Sequence, residues 1–439
     1  MKRGWQLVVL GLALAAADLA RGQSFSNLER GRVQDMLIAV KDDIQKYYYD
    51  PAYHGVNIDA EFRAAQERIK HATSYGQGFA AIAQVLNLLN DSHTFFIPPG
   101  RSARTQYGWE MQMIGDRCYV TGVRPGSDTA AKGLKPGDLV VSVDGIVPTR
   151  DNLWKLRYVF YTLRPQTALR LVVQRAGESE RQVDTLAKVE ERKRIYDLTF
   201  SSAGGDIWDL IRQGENLRRL ERQRWVEFGD VLLIWRMPAF NLNQEEVDTM
   251  MDKVRKYKAL VLDLRGNPGG AVKTLQRVIG SLFGHDIKIG ENKRRKESKE
   301  LIAKTRGSHA FDGKLAVLVD SQSASAAEIL ARVVQLEKRG TVIGDRTEGA
   351  VMESRWYGHQ QGTDTSVFYG AFITDADLIM TDGRSLEHTG VSPDESILPT
   401  AADLANDRDP VMSRAAELLG ARLGPEKAGK LFPLEWPNP

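Results

Sequence analysis

The chain has a single cysteine, Cys118, among its 439 residues, so no disulfide can form within it and its stability must come from packed cores. Charge of one sign is scarce: 60 Lys and Arg stand against 57 Asp and Glu, a formal net charge of +3. That near balance excludes the strongly basic field by which proteins hold nucleic acid, and the one dense basic run, Lys293 to Lys299, reads as a solvated loop. Four motifs are missing: H-E-x-x-H, paired C-x-x-C, G-x-x-x-x-G-K-[ST] and G-x-S-x-G. Their absence leaves zinc-peptidase, metal-thiolate, P-loop and lipase-type chemistry without support, and neither a metal nor a cofactor is expected. There is no solenoid repeat and no low-complexity tract.

What is present begins at the amino terminus. Lys2 and Arg3 precede an apolar run from about Trp5 to Ala17, too short to span a bilayer, which takes about 20 residues. Small residues follow, and a cut after Gly22, with Ala20 at the third position before it, suits a signal peptide over residues 1–22. Loss of Lys2, Arg3, Arg21 and Asp18 would lower the formal charge from +3 to +1. The expected product is an exported protein, periplasmic or secreted, with no stable membrane span. At 42% hydrophobic content it can bury two or three cores.

Helical spacing of Met36, Leu37, Val40, Ile44 and Tyr47, then of Phe79, Ile82, Val85 and Leu86, makes residues 23–103 a helical segment ending in the turn Asp91-Ser92-His93-Thr94. Residues 104–190 alternate strands with tight turns, including Pro136-Gly137 and Asp144-Gly145. A helix is expected over Asn152 to Leu163 and a last strand over Leu169 to Arg175. From Glu191 a linker runs into a charged loop or ribbon, Arg218 to Arg224. After it, α and β alternate to about residue 400, which predicts a mixed α/β core with crossover helices. Strands are expected at Ser366 to Phe372 and Asp377 to Met380, a terminal helical region at Ala401 to Leu423, and an irregular tail.

Two turns in that core carry chemistry. Lys314 to Asp320 reads as a strand buried on both faces and Ala326 to Arg339 as a helix, with the small residues of Ser321 to Ser325 between them. A serine there stands at the sheet's carboxyl edge beside the free N–H groups of a helix start; capping the helix is the ordinary alternative. The second turn, Ala259 to Gly270, is another buried strand running into a loop only glycines allow.

Asp263 to Gly270 (DLRGNPGG), then Ser323 to Ile329 (SASAAEI), then Val342 to Ala350 (VIGDRTEGA), resemble the tail-specific, or C-terminal-processing, serine peptidases. The resemblance extends over about Phe25 to Pro399 and implies an α/β multidomain protein with a peptidase core of crotonase-like βαβ layers over residues 191–400; residues 401–439, beyond it, read as a helical tail. It also implies that Ser325 is the nucleophile and that Gly269 or Gly270, with Ala326, lends N–H groups to an oxyanion hole. Many members carry a lysine base in T-x-G-K, whereas here the motif ends in Ala350. Leu88 to Pro99 (LLNDSHTFFIPP) instead resembles the tricorn-like branch, which implies His93 as base beside Ser92, with Glu387 orienting the imidazole directly or through Ser92; His388 is the alternative base. Gly133 to Gly145 (GLKPGDLVVSVDG) is similar to PDZ domains, so residues 104–190 would form a PDZ-like insert whose loop at Tyr107, Gly108 and Trp109 meets a substrate's carboxyl end. The implied partners are protein or peptide substrates, cut through an acyl-enzyme. The rival expectation, favoured by Ala350, is an inactive adaptor that binds peptide ends; an esterase would use the same residues.

Overall fold

The computed structural model describes residues 25–100, 103–191, 219–362 and 367–436. The signal-peptide reading of residues 1–22 and most of the linker reading fall outside them. No helix among the described residues is long and apolar enough to cross a membrane.

Three helices open the described chain, Asn27–Tyr47, Ile58–Lys70 and Tyr75–Asn87. Each starts where a side chain accepts from a free amide of the first turn: Ser26 in a reciprocal capping box with Glu29, then Asn57, then Ser74. Their apolar stripes, with Val33, Met36, Val40, Ile44, Ile69 and Ile82 fully or almost fully buried, pack on Tyr369, Ala371 and Ile373. Those three residues lie on the inner face of the strand Val367–Met380, which pairs with Met352–Gln361, with Phe95–Ile97 and with Ile287–Arg294. The short strand Phe95–Ile97 thereby ties the Ser92-His93 turn to the core. Val367–Met380 is one strand where two were expected, because the pairing with Met352–Gln361 runs through Thr374 and resumes at Ala376 after a bulge at Asp375.

The central sheet has six strands in the order Glu395–Ser396, Thr341–Gly344, Lys314–Val319, Ala259–Asp263, Leu232–Arg236 and Arg224–Phe228. The first five are parallel and the last is antiparallel. Helices Gln244–Val254, Val272–Gly280 and Ala326–Leu336 cover one face. Three short helices, Ala401–Ala405, Pro410–Leu418 and Pro425–Ala428, lie where one helical region was expected, and Val411, Met412, Ala415 and Ala416 pack on the other face. The breaks fall at Asp407 and Gly420, both with positive φ. The parallel strands bury both faces, which explains their unbroken apolar runs.

Residues 109–186 form a separate five-stranded antiparallel sheet in sequence order, with its own core around Met111, Val120, Leu156, Leu171 and Val183. A strand at Glu180–Leu186 follows Ala168–Gln174, which is therefore not the last; its alternation Gln182, Val183, Asp184, Thr185 buries only every second residue. The basic run at 293–299 is the end of a hairpin, with Arg294 bonded to Glu353 and Asp375, not a free loop. In the charged stretch before the central sheet, Arg219, Arg222 and Arg224 converge on Glu435 of the tail.

Candidate active site

Ser325 stands between the strand Lys314–Val319 and the helix Ala326–Leu336. Its backbone is at φ 54° and ψ −117°, a conformation that costs a residue with a side chain on the order of 1–3 kcal/mol and persists only where its surroundings impose it. Its N–H donates to Ala350 O (2.9 Å) and to a Glu328 oxygen (3.0 Å). The loop before it is pinned by Ser323, whose buried hydroxyl donates to Leu264 O (2.8 Å) and accepts from Asp320 N (2.9 Å). Ser321 donates to Met113 O (2.5 Å). The neighbouring serines build the turn, and the strained one stands at its apex.

The glycine loop lies against that apex. A Cβ on Gly269, at φ +95°, would come 2.6 Å from Ser325 Cβ and 3.0 Å from Ala326 N. On Gly270 it would meet Phe240 O at 2.5 Å. Asn267, fully buried, shapes the loop: its amide donates to Met237 O (2.8 Å), its oxygen accepts from Gly269 N (2.8 Å), and its carbonyl accepts from Ala324 N (2.9 Å). The N–H groups of Gly270 and Ala326 meet no protein acceptor among the described residues. Asn267→Ala would strand the buried Met237 carbonyl and Gly269 amide. We expect it to cost on the order of 3 kcal/mol, read from a urea unfolding midpoint, and to slow turnover about tenfold; a variant as stable and active as the parent would contradict this role.

The Ser92-His93 turn is fixed from beneath by Asp91, which accepts from Tyr48 Oη (2.8 Å), Thr374 Oγ1 (2.7 Å) and His93 N (3.0 Å). Ser92 Oγ lies 2.7 Å from His93 Nδ1 and donates to Glu387 Oε2 at 2.9 Å, while Ser92 N donates to Glu387 Oε1 at 2.7 Å. Because the Ser92 proton goes to the carboxylate, its oxygen accepts from Nδ1–H, and the lone pair of the imidazole is left on Nε2. Glu387 thus meets the imidazole through Ser92. Burial pushes His93 below its ordinary value of about 6.5, with Asp91 pulling the other way. Burial also raises Glu387, opposed by the Val351 and Ser92 amides. His388 Nε2 is turned to Asn90 O (2.7 Å).

One peptide unit joins the two halves. The Ala350 carbonyl accepts from Ser325 N, and the N–H on the other side of that peptide bond, from Val351, donates to Glu387 Oε2 (2.8 Å). Two hydrogen bonds and the bonds of one peptide hold Ser325 N and the Glu387 carboxylate no more than about 8 Å apart.

Residues 232–397 match the model of peptidase family S41. The chain carries that family's peptidase domain. It is a serine-type peptidase. Over 380 residues it is 24% identical to a chloroplastic C-terminal processing peptidase of Tetradesmus obliquus, covering 81% of this chain and 75% of that one. It is 25% identical over 328 residues to a tail-specific protease of Haemophilus influenzae, covering 69% of this chain and 43% of that protein, so the chain spans less than half of that relative. The fold is similar to the crystal structure of mature CPAF, with a TM-score of 0.63 at 15% identity, over 86% of this chain and 94% of that one.

In this serine-type peptidase Ala350 is buried, and its backbone rather than its side chain serves the site: carbonyl to Ser325, N–H to Glu328 Oε2 (2.9 Å). Tyr107, Gly108 and Trp109 belong to the five-stranded unit. Tyr107 is buried, its hydroxyl bridging Phe160 O (3.1 Å) and Gln166 N (3.0 Å), and Trp109 is buried too. Gly108, at φ +74°, has no room for a side chain against Ser127 Cβ, 2.5 Å from where a Cβ would lie. Only backbone remains at this loop to meet a peptide. The outer edge of the strand Trp109–Ile114 is covered as well. Met111 O accepts from Arg157 and from Gln322 Nε2 (3.4 Å), and Met113 O from Ser321. Asp91, Asn267 and Glu328 went unrecognised in the sequence. Asp91 opens the D-S-H-T turn and Glu328 stands in the helix's first turn, yet nothing local to them marks partners tens to hundreds of residues away.

Proposed function

We propose that this serine-type peptidase is an exported endopeptidase that cuts protein or peptide substrates through an acyl-enzyme on Ser325. His93 Nε2 takes the Ser325 proton as Oγ attacks the scissile carbonyl, then delivers it to the leaving amine; a water repeats the sequence to release the acyl group. Ser92 and Glu387 hold the imidazole in the tautomer with a proton on Nδ1 and stabilise the imidazolium. The oxyanion falls to Gly270 and Ala326 rather than Gly269, whose N–H is already bonded to Asn267. The observation that carries this reading is the chain His93 Nδ1, Ser92 Oγ, Glu387, Val351 N–H, Ala350 O, Ser325 N–H, which supplies a base and its orienting carboxylate where the T-x-G-K lysine is missing.

Export follows from reading residues 1–22 as a signal peptide. Residues 104–190 act as a PDZ-like unit, and recognition of a substrate's carboxyl end would use backbone near Tyr107 and Gly108; the names of the two relatives agree with substrates cut near that end. The test is cleavage of an unfolded polypeptide by wild type and Glu387→Gln, with products mapped by mass spectrometry. The carboxamide oxygen can replace only one of the two carboxylate oxygens that Ser92 donates to, and the neutral group no longer stabilises the imidazolium, so kcat should fall about 100-fold or more at similar KM. A Glu387→Gln variant with wild-type kcat would sink the relay.

A further inference from the structure

Glu328 has no part in the reaction as described, yet its carboxylate accepts four hydrogen bonds beside Ser325. It lies in the first turn of the Ala326–Leu336 helix with no exposed surface. Oε1 accepts from Thr347 Oγ1 (2.5 Å) and Gly349 N (2.7 Å), and Oε2 from Ala350 N (2.9 Å) and Ser325 N (3.0 Å). Thr347 Oγ1 in turn accepts from Val391 N (2.6 Å), which leaves its own proton for Glu328. All four contacts are donors, so the cage fits the ionised carboxylate; a proton on either oxygen would face an N–H or displace the Thr347 hydroxyl.

We infer that Glu328 is a positioning residue whose ionised carboxylate clamps the Thr347–Val351 loop to Ser325, so that losing its charge misaligns the nucleophile and the Glu387 relay together. The physical route is short. Glu328 Oε2 holds Ser325 N–H and Ala350 N–H at one point, and the next peptide unit is the one that joins Ser325 to Glu387. Release of Oε2 loosens the amide that holds Ser325 in its left-handed backbone and the loop that presents Val351 N–H. The same carboxylate sits at the positive end of the helix, where a negative charge is favoured.

Burial raises the Glu328 carboxyl from about 4.5 to about 7, against the four donors that lower it. Charged and titratable groups on the segments around it are Glu348 in the same loop, Glu387 and His388 on the following turn, and Arg332 one turn along its own helix. His93 is pushed the other way, below about 6.5. Activity needs Glu328 and Glu387 ionised and His93 neutral, and all three conditions are met as pH rises. With Glu328 raised to about 7, its ionisation contributes to the acid limb of the kcat profile.

This inference rests on the acyl-enzyme reading, and the experiment separates the two failures. Rates of peptide hydrolysis and of labelling by a fluorophosphonate are measured from pH 5 to 9 for wild type, Glu328→Gln, Thr347→Val and Thr347→Ser. A folded wild type that neither hydrolyses nor labels defeats the reading itself. With an active wild type, Glu328→Gln turns an amide donor onto one pair of N–H or hydroxyl donors. It should lower kcat by about 10- to 100-fold at similar KM and move the acid limb to lower pH. Thr347→Val removes one donor, raises the Glu328 carboxyl and should shift the limb upward by roughly half a unit or more; Thr347→Ser should restore it. A merely structural Glu328 would lower the unfolding midpoint without moving either limb. Glu328→Gln with kcat within threefold of wild type and an unmoved limb overturns the inference, and if that variant does not fold, an unmoved limb in Thr347→Val does so.

Discussion

Ser325→Ala is expected to lower kcat by about 10⁶-fold, the scale on which loss of a serine nucleophile acts when the base and oxyanion hole depend on it. Stability should change little. The substitution removes one half-buried hydroxyl, keeps the Ser325 N–H bonds to Ala350 and Glu328, and leaves the same side-chain penalty at positive φ. A change within about 1 kcal/mol is expected in urea unfolding. The two measurements together matter: turnover lost in a protein that unfolds normally assigns the loss to chemistry. Retention of more than about 1% of wild-type turnover would place the nucleophile elsewhere.

His93→Ala should come close to the same loss, about 10⁴- to 10⁶-fold, because a serine hydroxyl without a base is a poor nucleophile. The supporting turn should survive. Asp91 still bonds Tyr48 and Thr374, and Ser92 still bonds Glu387 through both its N–H and its hydroxyl. Only the Ser92–Nδ1 contact and the packing of the ring are removed. The loss should persist across neutral and alkaline pH, where the wild-type imidazole, shifted below its ordinary value, is already neutral. Turnover within tenfold of wild type at pH 8 would show that another group takes the proton.

The parallel core was legible because its strands are short unbroken apolar runs and its helices switch to a 3.6-residue period; Ala259–Asp263 falls where the sequence puts it. The turn at Ser325 and the loop at Gly269 could be read for the same reason, since strand, small residues and helix follow one another locally. His93 could be found only by resemblance. It lies 232 positions before Ser325, and no local pattern distinguishes a base from any other half-buried histidine. The supporting polar groups were less accessible still. Asn267 matters because Met237 and Gly269 present a carbonyl and an amide to it, and Glu328 because residues 347–350 fold over it. Such partners exist only after the sheet has formed. The errors elsewhere were of register and extent. A polar edge strand at Glu180–Leu186 lacks the apolar run that announces a strand, and the breaks at Asp407 and Gly420 interrupt a helical pattern that is otherwise continuous.

The central claim is that Ser325 is activated by His93 with no lysine at position 350. Fluorophosphonate labelling of the purified mature protein tests it most directly, with Ser325→Ala and His93→Ala in parallel and folding of all three checked by circular dichroism. The account predicts one equivalent of label on wild type, on the peptide containing Ser325, and none on either variant at neutral pH. A folded wild type that takes up no label, or a Ser325→Ala protein that labels as fast as wild type, would contradict it.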